Sequence, residues 1–567
     1  MALFLRNLNE RIDIEIKDDL IKLKLHFYVL IFELKIKTHL KLAEYSYEGC
    51  SNDYNTNKLS NSKNGITMYV CQIYAKLNAS KFPNLLVVSR RLLLILMVGA
   101  ALGAKIRYDN HRFYEIHFTR ETVLRFKTEI VQYKILDRRD DGERTNITIL
   151  VDPNEVENLE AVLTLNGISH KILDINIQQL IDEELQSIKP NNVSAKGSDF
   201  GWKNIYKLET IHAWIDQLAY KYSDIITILN IGRSHEGRTI KGVKLALQKD
   251  NPAVFVEAGI HADEWIGPAI ATFILNQLLT SKDPQIRFLA ENFNWIVFPV
   301  CNPDGYKYTF DKNRLWRKNR QRFNHCFGID LNRNWNISWI PETFNPCSNN
   351  FPGPYAFSAP ETRAIATYLN GNAKSQRIRA YLSFHSPTQK LMFPYASNHS
   401  RAPNFSALLR IGKKAAKAFG NRNGKQFEVG TFIDMLYGDG EKGTSLDWVY
   451  KVLKVPIVYM YNLRQSTYFL RADEIEAAGW ETLDSVEALL SEAMTLGYFG
   501  NFPYGSFTKK NHHWINLAAI YYITFGGVVL TLVVICIIYK SPRRTRRRSV
   551  GVENSISLQY LQMRPTF

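Results

Sequence analysis

Residues 256–275 read VEAGIHADEWIGPAIATFIL. A strand ends at Ile260 and a helix begins soon after it, with His261 and Glu264 three apart at the junction. Zinc accepts imidazole nitrogen and carboxylate oxygen, and catalytic zinc sites usually take three protein ligands plus a water. A lone His-x-x-Glu is a weak signal, and a surface turn with a chance pair is the plainer reading of it. The stretch YLSFHS (381–386) supplies the third candidate ligand, His385, at the end of another apolar strand.

The pattern around these two junctions sets the fold class. Apolar runs AVFVEAGI (253–260), FNWIVFPV (293–300), IRAYLSFH (378–385) and VPIVYMYN (455–462) alternate with helical stretches. Those stretches are WIGPAIATFILNQLLT (265–280), FSALLRIGKKAAKAFG (405–420) and DSVEALLSEAMTLG (484–497). Strands and helices in alternation predict an α/β domain over 198–500, its sheet covered on both faces. Residues 105–189 predict a smaller α+β unit. YEIHF (114–118), TNITILVDP (145–153) and HKILDINI (170–177) alternate as strands, while 121–136 and 154–167 have helical spacing.

Outside these units the chain changes character. Residues 1–89 are a Lys-, Asn- and Leu-rich extension that resists reading. Residues 90–104, RRLLLILMVGAALGA, have the layout of a signal peptide, which is expected at a chain start; Met68 is a candidate downstream start. Residues 514–539 are apolar and uncharged, long enough for a transmembrane helix of about 20 residues. Lys540, Arg543, Arg544, Arg546, Arg547 and Arg548 follow, and such a basic cluster marks the cytoplasmic side. The expectation is a single-pass membrane protein with the large unit extracellular or lumenal and a cytoplasmic tail, 540–567.

The formal net charge of +17 lies largely at the two ends, and no nucleic-acid motif stands between them, so no nucleic-acid partner is expected. Six cysteines are too few for a disulfide scaffold. Cys326 and Cys347 are the candidate pair, and Cys301 in WIVFPVC reads as a buried thiol. Sequons at Asn146, Asn192, Asn336, Asn398 and Asn404 favour a secretory route.

HADEW (261–265), NRLWRKNR (313–320), CFGIDLNRNW (326–335), GPYAFSAPET (353–362) and FHSPTQKLMFPY (384–395) occur in the order found in one family. The chain resembles the zinc carboxypeptidases of the pancreatic A/B type over nearly all of 105–500. The resemblance implies a mixed β-sheet flanked by helices on both faces, preceded by an activation domain that an activating protease removes, and one Zn2+ held by His261, Glu264 and His385. It implies that Asp330 orients the first histidine and that Arg317 steadies the oxyanion. Asn332 and Arg333 would grip the terminal carboxylate of a peptide, which suits the planar arginine fork. Tyr437 would close over the substrate, and Leu446 at the base of the side-chain pocket resembles the A type, which takes aliphatic or aromatic C-terminal residues.

Three positions depart from the family pattern. The general-base glutamate is replaced by Asn462, and a neutral amide cannot take a proton from the attacking water. Asp263 stands where the family has a basic residue. The loop YGDGEKGTSLDW (437–448) is longer than usual by about two residues, and its Glu441 is a poor candidate for a replacement base. Two readings remain open: a membrane-anchored carboxypeptidase releasing apolar C-terminal residues, and a catalytically impaired relative that binds peptide C-termini. If residues 105–189 block the cleft, cleavage near Lys189 or Lys196 would expose it.

Overall fold

The structure, a computed structural model, describes residues 105–126, 133–140, 144–188, 200–340, 345–424, 427–436, 440–463, 469 and 471–500. The extension 1–89, the signal-like segment 90–104, the apolar run 514–539, the tail 540–567 and Tyr437 lie outside them. Among the described residues no helix is long and apolar enough to cross a membrane.

The smaller domain contains β1 (Arg112–Thr119), α1 (Arg120–Arg125), β2 (Lys134–Asp140), β3 (Arg144–Val151), α2 (Val156–Leu165), β4 (Ser169–Leu173) and α3 (Ile177–Ser187). Its antiparallel sheet runs β2-β3-β1-β4. Strand alternation gives it two apolar faces. Tyr114, Ile116 and Phe118 of β1 pack with Leu159 and Leu163 of α2. Phe113 packs with Ile177 and Ile181 of α3. The helical spacing read across 121–136 does not hold throughout. Thr119 and Thr122 form a reciprocal cap on α1, which ends at Arg125. Lys134 and Ile135 instead pair with Leu150 and Ile149 of β3. Burial of Leu136 beside Phe113 favours the strand over the local helical preference.

The larger domain opens with α4 (Leu208–Lys221), β5 (Ile226–Arg233), β6 (Thr239–Leu245), β7 (Ala253–Ala258), α5 (Ile266–Thr280), α6 (Pro284–Asn292), β8 (Asn294–Phe298) and α7 (Pro303–Asp311). It continues with α8 (Pro360–Asn372), β9 (Ile378–His385), β10 (Lys390–Phe393), α9 (Phe405–Asn423), β11 (Glu428–Thr431), α10 (Phe432–Leu436), α11 (Ser445–Lys451), β12 (Ile457–Asn462) and α12 (Ile475–Thr495). The eight-stranded sheet has the order β11-β10-β12-β9-β7-β8-β6-β5. Its centre, β12-β9-β7-β8, is parallel. Antiparallel pairs flank that centre, so the sheet is mixed as expected.

Every residue of β7 and β8 is buried, as a strand covered on both faces requires. On one face Tyr368 of α8 meets Phe255 and Phe298. On the other, Gly412 of α9 lies so close to Val429 and Tyr459 that a Cβ there would be 2.6 Å from the valine. The sheet positions the site. In the β9–β12 register His385 lies opposite Asn462, both at the carboxyl ends of central parallel strands. His261 follows the end of β7, and this edge is where open α/β sheets place their ligand crevice.

Candidate metal centre

Gly259, at φ +62°, turns the chain out of β7; a Cβ there would lie 3.1 Å from the Pro299 carbonyl. The turn carries His261 and Glu264 under the start of α5, and β9 brings His385 to them. His261 Nδ1 is 2.9 Å from Glu264 Oε1 and 3.0 Å from His385 Nδ1. His385 Nδ1 is 3.0 Å from Glu264 Oε2. All three residues are buried.

The hydrogen bonds behind the rings set which nitrogens carry protons. His261 Nε2 lies 3.2 Å from Asp330 Oδ1, an acceptor, so the proton sits there and Nδ1 presents a lone pair. His385 Nε2 lies 3.0 Å from Ser383 Oγ, whose own proton goes to Glu257 Oε1 at 3.0 Å. Tyr381 donates its hydroxyl to the other oxygen of Glu257. His385 Nδ1 is then a lone pair too. Glu264 Oε2 is buried and receives no hydrogen bond, despite the nearby His385 nitrogen. The two imidazole nitrogens and the carboxylate thus converge on one point, an arrangement that a bound cation satisfies. Ligand atoms about 2 Å from a tetrahedral zinc stand roughly 3.3 Å apart, close to these separations. The residues fit zinc. When zinc is absent a proton substitutes for it: burial and Arg317 oppose the charge on His261, but Glu264 and Asp330 outweigh them and push it up to about 9.

Asp330 ties the cationic side of the cleft together. Arg317 reaches its Oδ2 through Nε at 3.2 Å and Nη2 at 3.1 Å, with Nη1 3.7 Å from Glu264. Burial works against the Asp330 carboxylate, but Arg317 and His261 hold it well below the usual range. Asn332 N donates to Asp330 Oδ1 at 3.0 Å, and Arg333 Nε is 3.5 Å from Oδ2. Asn332 Oδ1 accepts from Ser445 N at 3.0 Å, which leaves the Asn332 amide NH2 to donate. Leu446, the next residue, is fully buried. Asn462 is half-buried beside His385 and donates to Thr388 Oγ1 at 3.0 Å. Cys326 and Cys347 form a disulfide, and Cys301 is a buried free thiol.

Two matches decide the family. Residues 211–485 match the zinc carboxypeptidase family, and residues 123–184 match the carboxypeptidase activation peptide. Zinc carboxypeptidase A 1 of Anopheles gambiae is 40% identical over 406 residues, covering 69% of this chain and 92% of that protein. The chain belongs to the zinc carboxypeptidase family. Zinc carboxypeptidase A 1 of Drosophila melanogaster is 34% identical, covering 72% of this chain and 97% of that protein. The crystal structure of carboxypeptidase A from Helicoverpa armigera superposes with a TM-score of 0.63 at 26% identity, covering 69% of this chain and 99% of that one.

The carboxypeptidase domain meets the activation domain beside the ligand set. Lys134 of β2 donates to Asp263, between the ligands His261 and Glu264, and to the Leu315 carbonyl at 3.0 Å. Glu184 of α3 takes a forked pair of bonds from Arg314. Tyr108 OH reaches Asn313 at 2.6 Å. Phe469 of the carboxypeptidase domain enters the apolar cluster of Phe113, Leu136, Ile177 and Ile181. The reversed charge at Asp263 therefore has a matching cation in the same chain. Sequence reading missed Lys134, because it lay in a run taken as helical. It also missed Glu257 and Ser383, although two-residue spacing from His385 puts Ser383 on the same side of β9.

The Ser383–Glu257 relay predicts a measurable effect on the metal. Ser383→Ala removes the acceptor for His385 Nε2 and should weaken zinc binding by roughly 10–100-fold. Competition against a chromogenic chelator checks this; an unchanged affinity would show that the relay is packing alone.

Proposed function

We propose that this zinc carboxypeptidase captures peptides ending in apolar residues and releases those residues slowly, if at all, acting mainly as a binder of peptide C-termini. The observation that carries the reading is Asn462 in register with His385, its amide bonded to Thr388, where a proton acceptor is required. Zinc bound by His261, Glu264 and His385 would lower the pKa of a water and polarise a carbonyl. The protein's own groups then divide the remaining work. Arg317, beside Glu264, is placed to meet negative charge developing on the carbonyl oxygen. The Asn332 amide and the Arg333 fork would hold the terminal carboxylate, with Leu446 at the base of an apolar side-chain pocket. Tyr437 would cover the substrate, a role that rests on the resemblance alone. The carboxylates beside this cleft are engaged in the uncut chain, Asp263 by Lys134. Glu264 faces His261 and His385, Asp330 is tied to His261 and Arg317, and Glu441 lies 3.2 Å from Arg333.

A zymogen arrangement supports the same reading, with a protease cutting within residues 189–199 to free the cleft. We also propose a single-pass membrane anchor at 514–539, with the carboxypeptidase domain lumenal or extracellular. The apolar length and the following arginines support it. Among the sequons, Asn336 is exposed, as a glycan acceptor needs. Asn404 instead spends its amide on the Pro456 carbonyl at 2.9 Å.

The test is a zinc-loaded protein, cut between its domains, given a peptide ending in Phe or Leu. Saturable binding lost in Arg333→Gln, with product formation at roughly 1% or less of a base-containing carboxypeptidase, is the expected outcome. Fast turnover abolished by Arg317→Ala would refute the impaired reading.

A further inference from the structure

The longer loop that follows Tyr437 brings a carboxylate to the arginine that the family resemblance assigns to substrate. Glu441 Oε1 lies 3.2 Å from Arg333 Nη2, with both side chains largely shielded. The position of Glu441 is set by its backbone. Its N–H donates to the Ala396 carbonyl at 2.8 Å. Gly440, just before it, has φ +77°, and a Cβ there would fall 2.2 Å from that same carbonyl. Gly443, just after it, has φ +69°, and a Cβ there would fall 2.2 Å from the Arg333 carbonyl. Gly443 also bonds through its N–H to Ile337 and through its carbonyl to the Trp335 N–H, both at 3.0 Å. Two close-packed, left-handed glycines thus fasten the loop to the Arg333–Ile337 segment on one side and to Ala396 on the other. The glutamate between them is delivered to the guanidinium.

We propose that Glu441 is an internal competitor for the terminal-carboxylate subsite, so that the cleft prefers a free peptide C-terminus over a neutral one by much less than the bare Asn332–Arg333 grip would. This rests on the reading of Asn332 and Arg333 as the carboxylate grip. The physical argument is one of charge. Arg333 already faces Glu441 at 3.2 Å and Asp330 at 3.5 Å. A ligand carboxylate arriving there would add a further anion to a guanidinium that already faces Asp330 and Glu441. It must either displace Glu441 or sit beside it against like-charge repulsion. A ligand ending in a neutral amide meets no such opposition and can still accept from the Asn332 NH2 group. The plainer alternative is that the pair merely anchors the loop and swings aside without cost, as exposed ion pairs often can. The two fastened glycines argue against free swinging, since they restrict the backbone on both sides of Glu441.

The experiment compares N-acetyl-phenylalanine with its C-terminal amide, by calorimetry, on the zinc-loaded chain cut between its domains. The ratio of the two affinities is read within each variant, which cancels differences in folded fraction. The wild type should bind the acid only about threefold more tightly than the amide. Glu441→Gln, which keeps the shape and removes the charge, should raise the acid-to-amide ratio by roughly tenfold, and Glu441→Ala should do the same. Arg333→Gln should abolish any preference for the acid. If both Glu441 variants leave the ratio unchanged while Arg333→Gln lowers acid binding, the grip is real and Glu441 is idle, and the proposal is overturned. If Arg333→Gln also leaves acid binding unchanged, the grip reading falls and takes this proposal with it.

Discussion

Asn462→Glu should raise the turnover of a peptide ending in Phe by roughly 10²–10⁴-fold, the usual contribution of a general acid–base group. The expectation follows from register. Residue 462 pairs with His385 across the β9–β12 ladder, so the two side chains leave the same face of the sheet at its carboxyl edge. A carboxylate there would stand beside a metal ligand, within the reach needed to accept a proton from water and return it to the leaving amine. The asparagine amide has no basic lone pair to offer and donates instead to Thr388. The rest of the machinery, from His261 through Asp330 to Arg317, is already assembled, so a single side chain separates the two states. Asn462→Gln, which adds the length without the charge, is the control and should gain nothing. Steady-state kinetics on the zinc-loaded, cut protein decides the matter. A rise of less than about threefold in Asn462→Glu, with zinc content unchanged, would mean that something other than the base limits the reaction.

Glu184→Ala should loosen the activation domain by about 3–5 kcal/mol, the cost of stripping one partner from a buried ion pair. Arg314 is only 5% exposed and so is Glu184. The guanidinium lies 3.6 Å from the Trp265 ring centre and 5.5 Å from that of Phe469, and it also donates to the Asp263 carbonyl at 2.8 Å. Without Glu184 the charge stays buried among aromatic rings with, among the described residues, no other carboxylate in ion-pair contact. After the linker is cut, the Glu184→Ala fragment should dissociate from the carboxypeptidase domain faster than the wild-type fragment does. Lys134→Ala should have a smaller effect, because Lys134 and Asp263 are more exposed, at 21% and 14% of their side-chain surface. An unchanged dissociation rate for the Glu184→Ala fragment would show that the Phe469 cluster, not the ion pair, holds the two domains.

Much of this molecule was legible along the chain. The four central strands are continuous apolar runs, because a strand covered on both faces has no polar side to show. The edge strand β5 and its neighbour β6 are only partly buried and are not continuous apolar runs. The candidate ligands His261, Glu264 and His385 could be named from two strand ends, and Asn462, in register with His385, from a third. Local pattern failed at Lys134, where pairing with β3 and burial of Leu136 outweighed helical spacing.

The sequence alone determined the α/β class, the family and the candidate zinc ligands, since each is written in residue type and order within a short stretch. Only the tertiary structure decided what Asp263, Ser383, Glu257 and Glu441 do. Asp263, Glu257 and Glu441 each meet a partner on a different element: Lys134 for Asp263, Ser383 for Glu257, Arg333 for Glu441. Charge and hydrogen bonding act through space over a few ångströms, so their meaning appears only once the fold has brought distant residues within that range.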